Sequence, residues 1–325
     1  MRKALYFEIL NYRKENILLM RKHFDVITMH DPLNIKEKAL DGVEVVFAPL
    51  GYFFGQDFFS KAPHLKVIAS NTTSTPHIDV EAAASKGVEV FSLKGEREFL
   101  DSITPTAELT VGLMIAVTRN LIPAKDSVLD GKWSRWEFGG SKMLSKMSLG
   151  IVGLGRLGSM VARYAYQMGM RIFYFDPYVE NNGHGFKKRS SLEELVGESD
   201  IVSIHVHLTE ETESMFSNSI FEKFKKGAYL INTSRGEIID SSALIRAMET
   251  GRLRGAALDV LDGEFIPGFP QTVSQHSLVQ YANSHPNLVI TPHIAGSTED
   301  AWSLTQRFVI KKSIGFFSRA GRRNR

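Results

Sequence analysis

Residues 149–176 read LGIVGLGRLGSMVARYAYQMGMRIFYFD, and the rest of the chain is understood from this stretch. An apolar run at 149–152 leads into Gly153-Leu-Gly155-Arg-Leu-Gly158. Leu157, Val161, Tyr164 and Met168 then recur at helical spacing, and Gly169 offers a stop. A second apolar run, 171–175, is closed by Asp176. Strand, glycine turn, helix, strand and acid, in that order, are the context that a dinucleotide fingerprint requires. Gly153 permits the tight turn, Gly155 lets backbone approach a pyrophosphate, and Gly158 lets helix pack on strand. Arg156 and Leu157 open the helix, whose unpaired N–H groups and dipole favour a diphosphate. Asp176 would accept hydrogen bonds from the adenosine ribose. A 2′-phosphate there would meet like charge, so NAD(H) is preferred over NADP. A glycine turn that binds nothing would need neither the flanking strands nor the acid.

Composition frames the reading. A chain of 325 residues suggests roughly two domains. Hydrophobic content of 43% and charged content of 23% are those of an ordinary globular protein. Net charge is only +3, part of it in the tail RAGRRNR at 319–325, which reads as a solvated terminus and not as a nucleic-acid patch. No apolar run approaches the roughly 18 residues of a spanning helix, and residues 1–10 do not resemble a signal peptide. Zero cysteines exclude a disulfide frame, thiolate chemistry and a zinc ribbon. A cytoplasmic protein with no nucleic-acid or membrane partner is expected.

Ahead of the fingerprint the chain has an αβ alternation of its own. Strands are expected at 4–9, 24–28, 43–48, 65–69 and 88–92, with helices at 12–23 and 79–86, the latter capped by Asp79 and ended by Gly87. Such alternation implies a parallel sheet with helices on both faces, yet no glycine fingerprint follows any of these strands. A long apolar helix is expected at 108–121. The segment 126–136 with Trp133 and Trp136, and Phe138, Met143 and Met147 beyond it, fits either a subunit contact or packing within its own domain. Beyond the fingerprint, helices are expected at 191–196, 221–225, 241–250 and 297–317. Strands are expected at 200–206, 228–232, 255–260 and 288–291. Ser297 with Asp300 suggests the cap of the last helix, which should cross back onto the N-terminal domain.

Three polar clusters follow the later strands, where open α/β sheets present their ligand crevices. They are NTSRGEIID at 232–240, ALDVLDGE at 257–264 and TPHIAGST at 291–298. Any one alone would be an ordinary surface or capping group. Together, beside a nicotinamide, they suit reduction of a 2-keto acid. Arginine grips a carboxylate and polarises a carbonyl through a permanently charged planar fork. Histidine donates the proton, and a carboxylate beside it favours the protonated ring and fixes its orientation. Arg235, His293 and Glu264 fit these roles, and Asp259 could hold the nicotinamide carboxamide.

With these motifs the chain resembles the D-isomer-specific 2-hydroxyacid dehydrogenases, the group holding phosphoglycerate, D-lactate and glyoxylate/hydroxypyruvate dehydrogenases. The likeness runs over nearly the whole chain, through LGIVGLGRLG with Asp176, DIVSIHVHLTEET, LINTSRGEIID, ALDVLDGE and TPHIAGST, and also PTAE at 105–108 and GKW at 131–133. It implies the roles of Arg235, Glu264 and His293 given above. It further implies cofactor contacts at Gly153, Gly155, Arg156, Leu157, Gly158, Asp176, His205, Thr233, Asp259 and Gly296. It implies an α/β fold of two doubly wound parallel-sheet domains with a cleft between them. One is a discontinuous flavodoxin-like substrate domain (1–100 plus 297–325). The other is a Rossmann NAD-binding domain (101–296), in which 101–147 would form a homodimer contact.

Some residues depart from the family pattern. The loop 70–77 carries Thr72 and Ser74 where glycine is common, so Asn71, Thr72, Thr73 and Ser74 could hydrogen-bond a polar acid or simply form local turns. Phe265 replaces a usual proline, and 265–287 is longer than typical. His205 and His207 share a strand face, but no third ligand is evident and a metal site is rejected. Lys94 and Arg97 read as a solvated strand end. Two other readings stand beside a D-2-hydroxyacid dehydrogenase: an NAD(H)-sensing regulatory protein with little turnover, and a relative oxidising an inorganic or one-carbon anion. Which acid is the substrate does not follow from the sequence.

Overall fold

The computed structural model describes residues 1–323 apart from Asn34, Asn181, Asn182 and Pro267. The chain packs as two compact units, Met1–Ile103 with the C-terminal stretch from Ser297, and Thr104–Gly296. The first division thus falls three residues beyond the expected boundary.

In the first unit β1 (Arg2–Phe7), β2 (Phe24–Met29), β3 (Val43–Phe47), β4 (Val67–Ala69) and β5 (Glu89–Phe91) form a parallel sheet in the order β2-β1-β3-β4-β5. This is the flavodoxin-like order. Period-two alternation builds a core on each face. Leu5 and Phe7 of β1 pack with Val46, Ile68 and Phe54, whereas Ala4 and Tyr6 pack with Val45, Met20 and the terminal helix residues Val309 and Ile310. The helices are α1 (Lys14–His23), α2 (Gln56–Lys61), α3 (Val80–Ser85) and α4 (Arg97–Leu100), with a terminal helix at Glu299–Arg323. The Asp79 carboxylate caps α3 by accepting the Ala82 N–H at 2.8 Å. Thr298, and not Ser297, caps the terminal helix. Its hydroxyl accepts from Ala301 N at 3.3 Å and its carbonyl from Trp302 N at 2.9 Å, a register set one residue later than the sequence suggests. That helix runs to Arg323, and the last two residues of the basic tail lie outside the described residues.

The second unit contains, in order, α5 (Pro105–Thr118), α6 (Leu121–Leu129), α7 (Arg135–Phe138), β6 (Ser148–Val152), α8 (Arg156–Gln167), β7 (Arg171–Phe175), β8 (Lys187–Lys188), α9 (Leu192–Glu198), β9 (Ile201–Ile204), α10 (Asn218–Phe221), β10 (Ala228–Asn232), α11 (Ser241–Glu249), β11 (Leu253–Leu258), α12 (Phe269–Thr272), α13 (Ser277–Ala282) and β12 (Leu288–Ile290). Its seven parallel strands run β12-β11-β10-β9-β6-β7-β8. Counted from β6, this is the dinucleotide-binding order with one strand added, and the order reverses between β6 and β9. Strands β6, β9 and β10 are buried throughout, as a doubly covered parallel sheet requires. Leu230 packs with Leu195, Phe224 and Leu244 on one face, while Tyr229 and Ile231 pack with α5 and α8 on the other. Asp200 staples the two strands flanking the reversal. Its carboxylate accepts from Ser148 N at 2.9 Å and from Lys225 Nζ at 2.6 Å. Burial pushes this carboxyl up, but the bonds to Lys225 and Ser148 outweigh it and hold it below the usual range.

Helix α10 begins three residues before the expected start, with Phe221 and Phe224 both in the core. The stretch Arg97–Thr118 is apolar and long enough, by length and composition, to cross a membrane, contrary to the expectation from the sequence. It is two helices interrupted at 101–104, and α5 has 14 residues. At 1.5 Å per residue α5 reaches only about 21 Å of the roughly 30 Å of a bilayer core. Its Ala107, Leu113, Met114 and Val117 are core residues of the second unit.

Candidate active site

The glycine turn has the geometry its sequence demands. Gly153 sits at φ +88°. A Cβ on Gly158 would stand 2.0 Å from the Gly153 carbonyl oxygen, so only glycine lets α8 start this close to β6. Gly155 is exposed, with nothing within 4 Å of where a Cβ would be, and no side chain caps the N-terminus of α8. An open cradle at a helix N-terminus suits a diphosphate. Asp176 is buried; its Oδ2 accepts from Leu154 N and its Oδ1 from Tyr178 N, both at 2.8 Å. Each oxygen keeps one lone pair for a ribose hydroxyl. The residues therefore fit a dinucleotide.

Other expected cofactor contacts lie along the strand ends of the same unit. Thr233 hydrogen-bonds Thr110 of α5 at 2.8 Å. His205 follows β9, its Nε2 paired with Ser203 Oγ at 2.8 Å, and burial pushes its pKa down to about 4, so the ring is neutral. His205 thus faces Ser203. Among the described residues no group of three His, Asp or Glu side chains could hold a metal ion.

Asn232, at the end of β10, was not singled out in the sequence, although it shapes the loop that carries Arg235. Its side chain accepts from Ser234 N at 2.9 Å and donates to the Arg235 carbonyl at 2.8 Å. An Asn at a strand end before Thr-Ser-Arg-Gly is the signal that could have found it. Gly236 follows, and a Cβ there would stand 2.0 Å from the Leu261 carbonyl carbon. The arginine loop is thereby pressed against the loop that carries Glu264.

Asp259 builds the third loop. Its Oδ1 accepts from Thr291 Oγ1 at 2.5 Å and Ile294 N at 3.0 Å, its Oδ2 from Ala295 N at 2.7 Å, and its carbonyl from His293 N at 2.8 Å. These bonds hold His293 at φ +52°, a left-handed conformation that a non-glycine residue adopts only when its surroundings over-determine it. One lone pair on Oδ2 remains for a carboxamide. The carboxylate therefore serves first to organise the histidine loop, which the sequence did not disclose.

His293 Nδ1 meets Glu264 Oε1 at 2.7 Å. The carboxylate can only accept, so Nδ1 carries a proton and Nε2 is left to take up or release one. The Glu264 side chain is 11% exposed and that of His293 39%, a shielded partner behind an accessible ring. The Phe265 ring meets the His293 ring edge-on at 5.7 Å, with the Arg235 guanidinium 5.9 Å from its centre. Guanidinium, imidazole and carboxylate thus gather around one aromatic side chain. In the first unit, the loop 70–77 is folded on itself. Thr72 Oγ1 donates to the Ser74 carbonyl at 2.6 Å and pairs with Ser70 Oγ at 3.0 Å, and Tyr12 donates to Asn71 at 3.4 Å. Thr73 is exposed.

Residues 111–295 match the family described as D-isomer specific 2-hydroxyacid dehydrogenase, NAD binding domain. The chain belongs to the D-isomer specific 2-hydroxyacid dehydrogenases. NAD is its cofactor, and it is an oxidoreductase. It is 36% identical to a glyoxylate reductase of Thermofilum pendens over 251 residues, 74% of this chain and 68% of that protein. It is 34% identical to a D-3-phosphoglycerate dehydrogenase of Methanocaldococcus jannaschii over 82% of this chain, and it spans about half of that protein's length (49%). Among solved structures, a D-lactate dehydrogenase of Aquifex aeolicus complexed with NAD and lactic acid superposes with a TM-score of 0.80 at 28% identity, over 97% of this chain and 95% of that one.

Proposed function

We propose that the chain interconverts a D-2-hydroxy acid and its 2-keto acid, with Arg235, Glu264 and His293 as the protein's reacting groups. NAD, when bound, supplies the hydride chemistry. Arg235 binds the carboxylate bidentately and polarises the carbonyl. In reduction, His293 Nε2 gives its proton to the developing alkoxide; in oxidation it takes the proton back. Glu264 holds the ring's Nδ1 proton and balances the charge that arises when Nε2 is also protonated. The observation that carries the reading is the 2.7 Å His293–Glu264 bond in a loop held at a left-handed backbone conformation. The Thermofilum protein's name, glyoxylate reductase, fits the same chemistry. A sensing protein would have no need of this pair, and nothing specific favours that reading.

The first unit is proposed as the substrate domain, with Asn71, Thr72, Thr73 and Ser74 as its candidate substrate-binding residues. The Thr72 hydroxyl proton is already committed to Ser74, so that side chain would serve the substrate only as an acceptor. Cofactor contacts are proposed at Gly153, Gly155, Arg156, Leu157, Gly158, Asp176, His205, Thr233, Asp259 and Gly296. A homodimer is proposed through 101–147, where Trp133 is 91% and Trp136 82% exposed. Sedimentation of Trp133→Glu would then show monomers; an unchanged dimer would contradict this contact. The reaction itself is tested by NADH consumption across a panel of small, sugar-derived and phosphorylated 2-keto acids. Turnover of at least one is expected, and none turned over would overturn the proposal.

A further inference from the structure

Asp262 lies two residues before Glu264, across Gly263 at φ +76°. Its Oδ1 accepts two hydrogen bonds, from Ser241 Oγ at 2.6 Å and from His276 Nε2 at 2.9 Å. Ser241 opens α11, and His276 stands just before α13, within the long segment that precedes β12. The His276 side chain is only 10% exposed, and its Nδ1 accepts the Leu278 N–H at 3.2 Å, capping α13. A nitrogen that accepts carries no proton, so the proton is on Nε2 and points at Asp262. One neutral ring therefore ties a helix end to the acid loop. On the other side of that loop, Gly263 N donates to Glu237 Oε1 at 3.2 Å, and Gly236 is wedged against Leu261. Asp262 and Gly263 are held by three side chains remote in sequence, those of Ser241, His276 and Glu237.

We propose that His276, acting through Asp262, is a positioning residue for Glu264, so that the segment 265–287 governs how well the His293–Glu264 pair is aligned. This rests on the roles proposed above for Glu264 and His293. A glutamate has three side-chain rotors, and its carboxylate meets His293 at 2.7 Å only while the backbone beneath it is fixed. With the His276 bond gone, Ser241 is the one side-chain donor left to Asp262 among the described residues, and the loop loses a restraint on the backbone that leads into Glu264.

Two substitutions separate the ring's two bonds. His276→Gln places an amide N–H where Nε2 stands and gives up the helix cap. His276→Asn places an acceptor where Nδ1 stands and does not reach Asp262. The expected result is that the Asn variant loses about tenfold in kcat with KM little changed. In its cofactor-free form, the His293 Nδ1 proton resonance should also leave its downfield, carboxylate-bonded position. The Gln variant should keep both. An Asn variant with wild-type kcat and resonance, or a Gln variant that falls as far as Asn, would overturn the proposal and leave His276 a helix cap. Should either fail to fold, Asp262→Ala removes the acceptor itself and must lower kcat at least as far; an unchanged kcat would refute the idea. Glu264→Gln is the control. If it leaves kcat intact, the role of Glu264 is wrong, while the resonance still reports whether His276 aligns the pair.

Discussion

Replacing Gly236 by alanine is the sharpest structural perturbation of this site that adds no charge or polarity. The new carbon would stand 2.0 Å from the Leu261 carbonyl carbon and 2.1 Å from the Asp262 nitrogen, both backbone atoms that cannot swing aside. To restore a 3.4 Å contact, the arginine loop and the glutamate loop must separate by about 1.4 Å, and a displacement on the order of 1 Å at reacting groups costs about 10²-fold in rate. Overpacking itself costs about 1–3 kcal/mol of stability, which the second unit should survive. The assay is steady-state kcat/KM for the best keto acid, with NADH affinity measured by fluorescence and folding by thermal unfolding. The expected outcome is a loss of about 10²-fold in kcat/KM with NADH affinity little changed, because the glycine cradle at 153–158 belongs to another loop. A folded variant retaining kcat/KM within about threefold of wild type would refute the claim that these two loops must touch.

Other outcomes follow from the same geometry. Asp176→Ser removes the negative charge at the ribose site while keeping a short acceptor, so the NADPH-to-NADH ratio of kcat/KM should rise by about tenfold; an unchanged ratio would take Asp176 out of cofactor choice. Burial pushes the pKa values of His77 and His205 down to about 4. The unfolded chain therefore binds more protons than the folded one between about pH 6.5 and 4, and stability falls as pH is lowered through that window and levels off below it. His205→Gln should show a smaller drop in Tm between pH 7 and pH 5 than wild type, read by thermal unfolding at about equal ionic strength; parallel curves would show that this histidine does not titrate as described.

How much was legible in the sequence follows from which forces are local. The fingerprint 149–176 reads correctly because strand, glycine turn and acid are each determined by near neighbours, and Asp79 caps its helix as a short side chain next to a helix start can. The edge strand β8 is two residues long and held by pairing with β7, which leaves no periodicity to read. The close approach of Gly236 to Leu261, and the bonds from His276 and Ser241 to Asp262, join positions 14 to 25 residues apart whose proximity is fixed only by folding. Asp259 shows the same limit. Its residue type and place after β11 were readable, but its three side-chain bonds to the histidine loop were not. The polar character of the loop 70–77 was legible, whereas the commitment of the Thr72 hydroxyl to Ser74 depends on the backbone path of the loop.

The central claim is that His293, oriented by Glu264, moves the proton while the cofactor is held elsewhere. It is tested most directly by measuring, in one preparation each of wild type and His293→Ala, both the NADH dissociation constant and single-turnover reduction of the best 2-keto acid. The account predicts an NADH affinity within about twofold of wild type and a reduction rate lower by about 10²–10⁴-fold, the usual worth of a positioned general acid. A variant that binds NADH and still reduces the acid at the wild-type rate would contradict it.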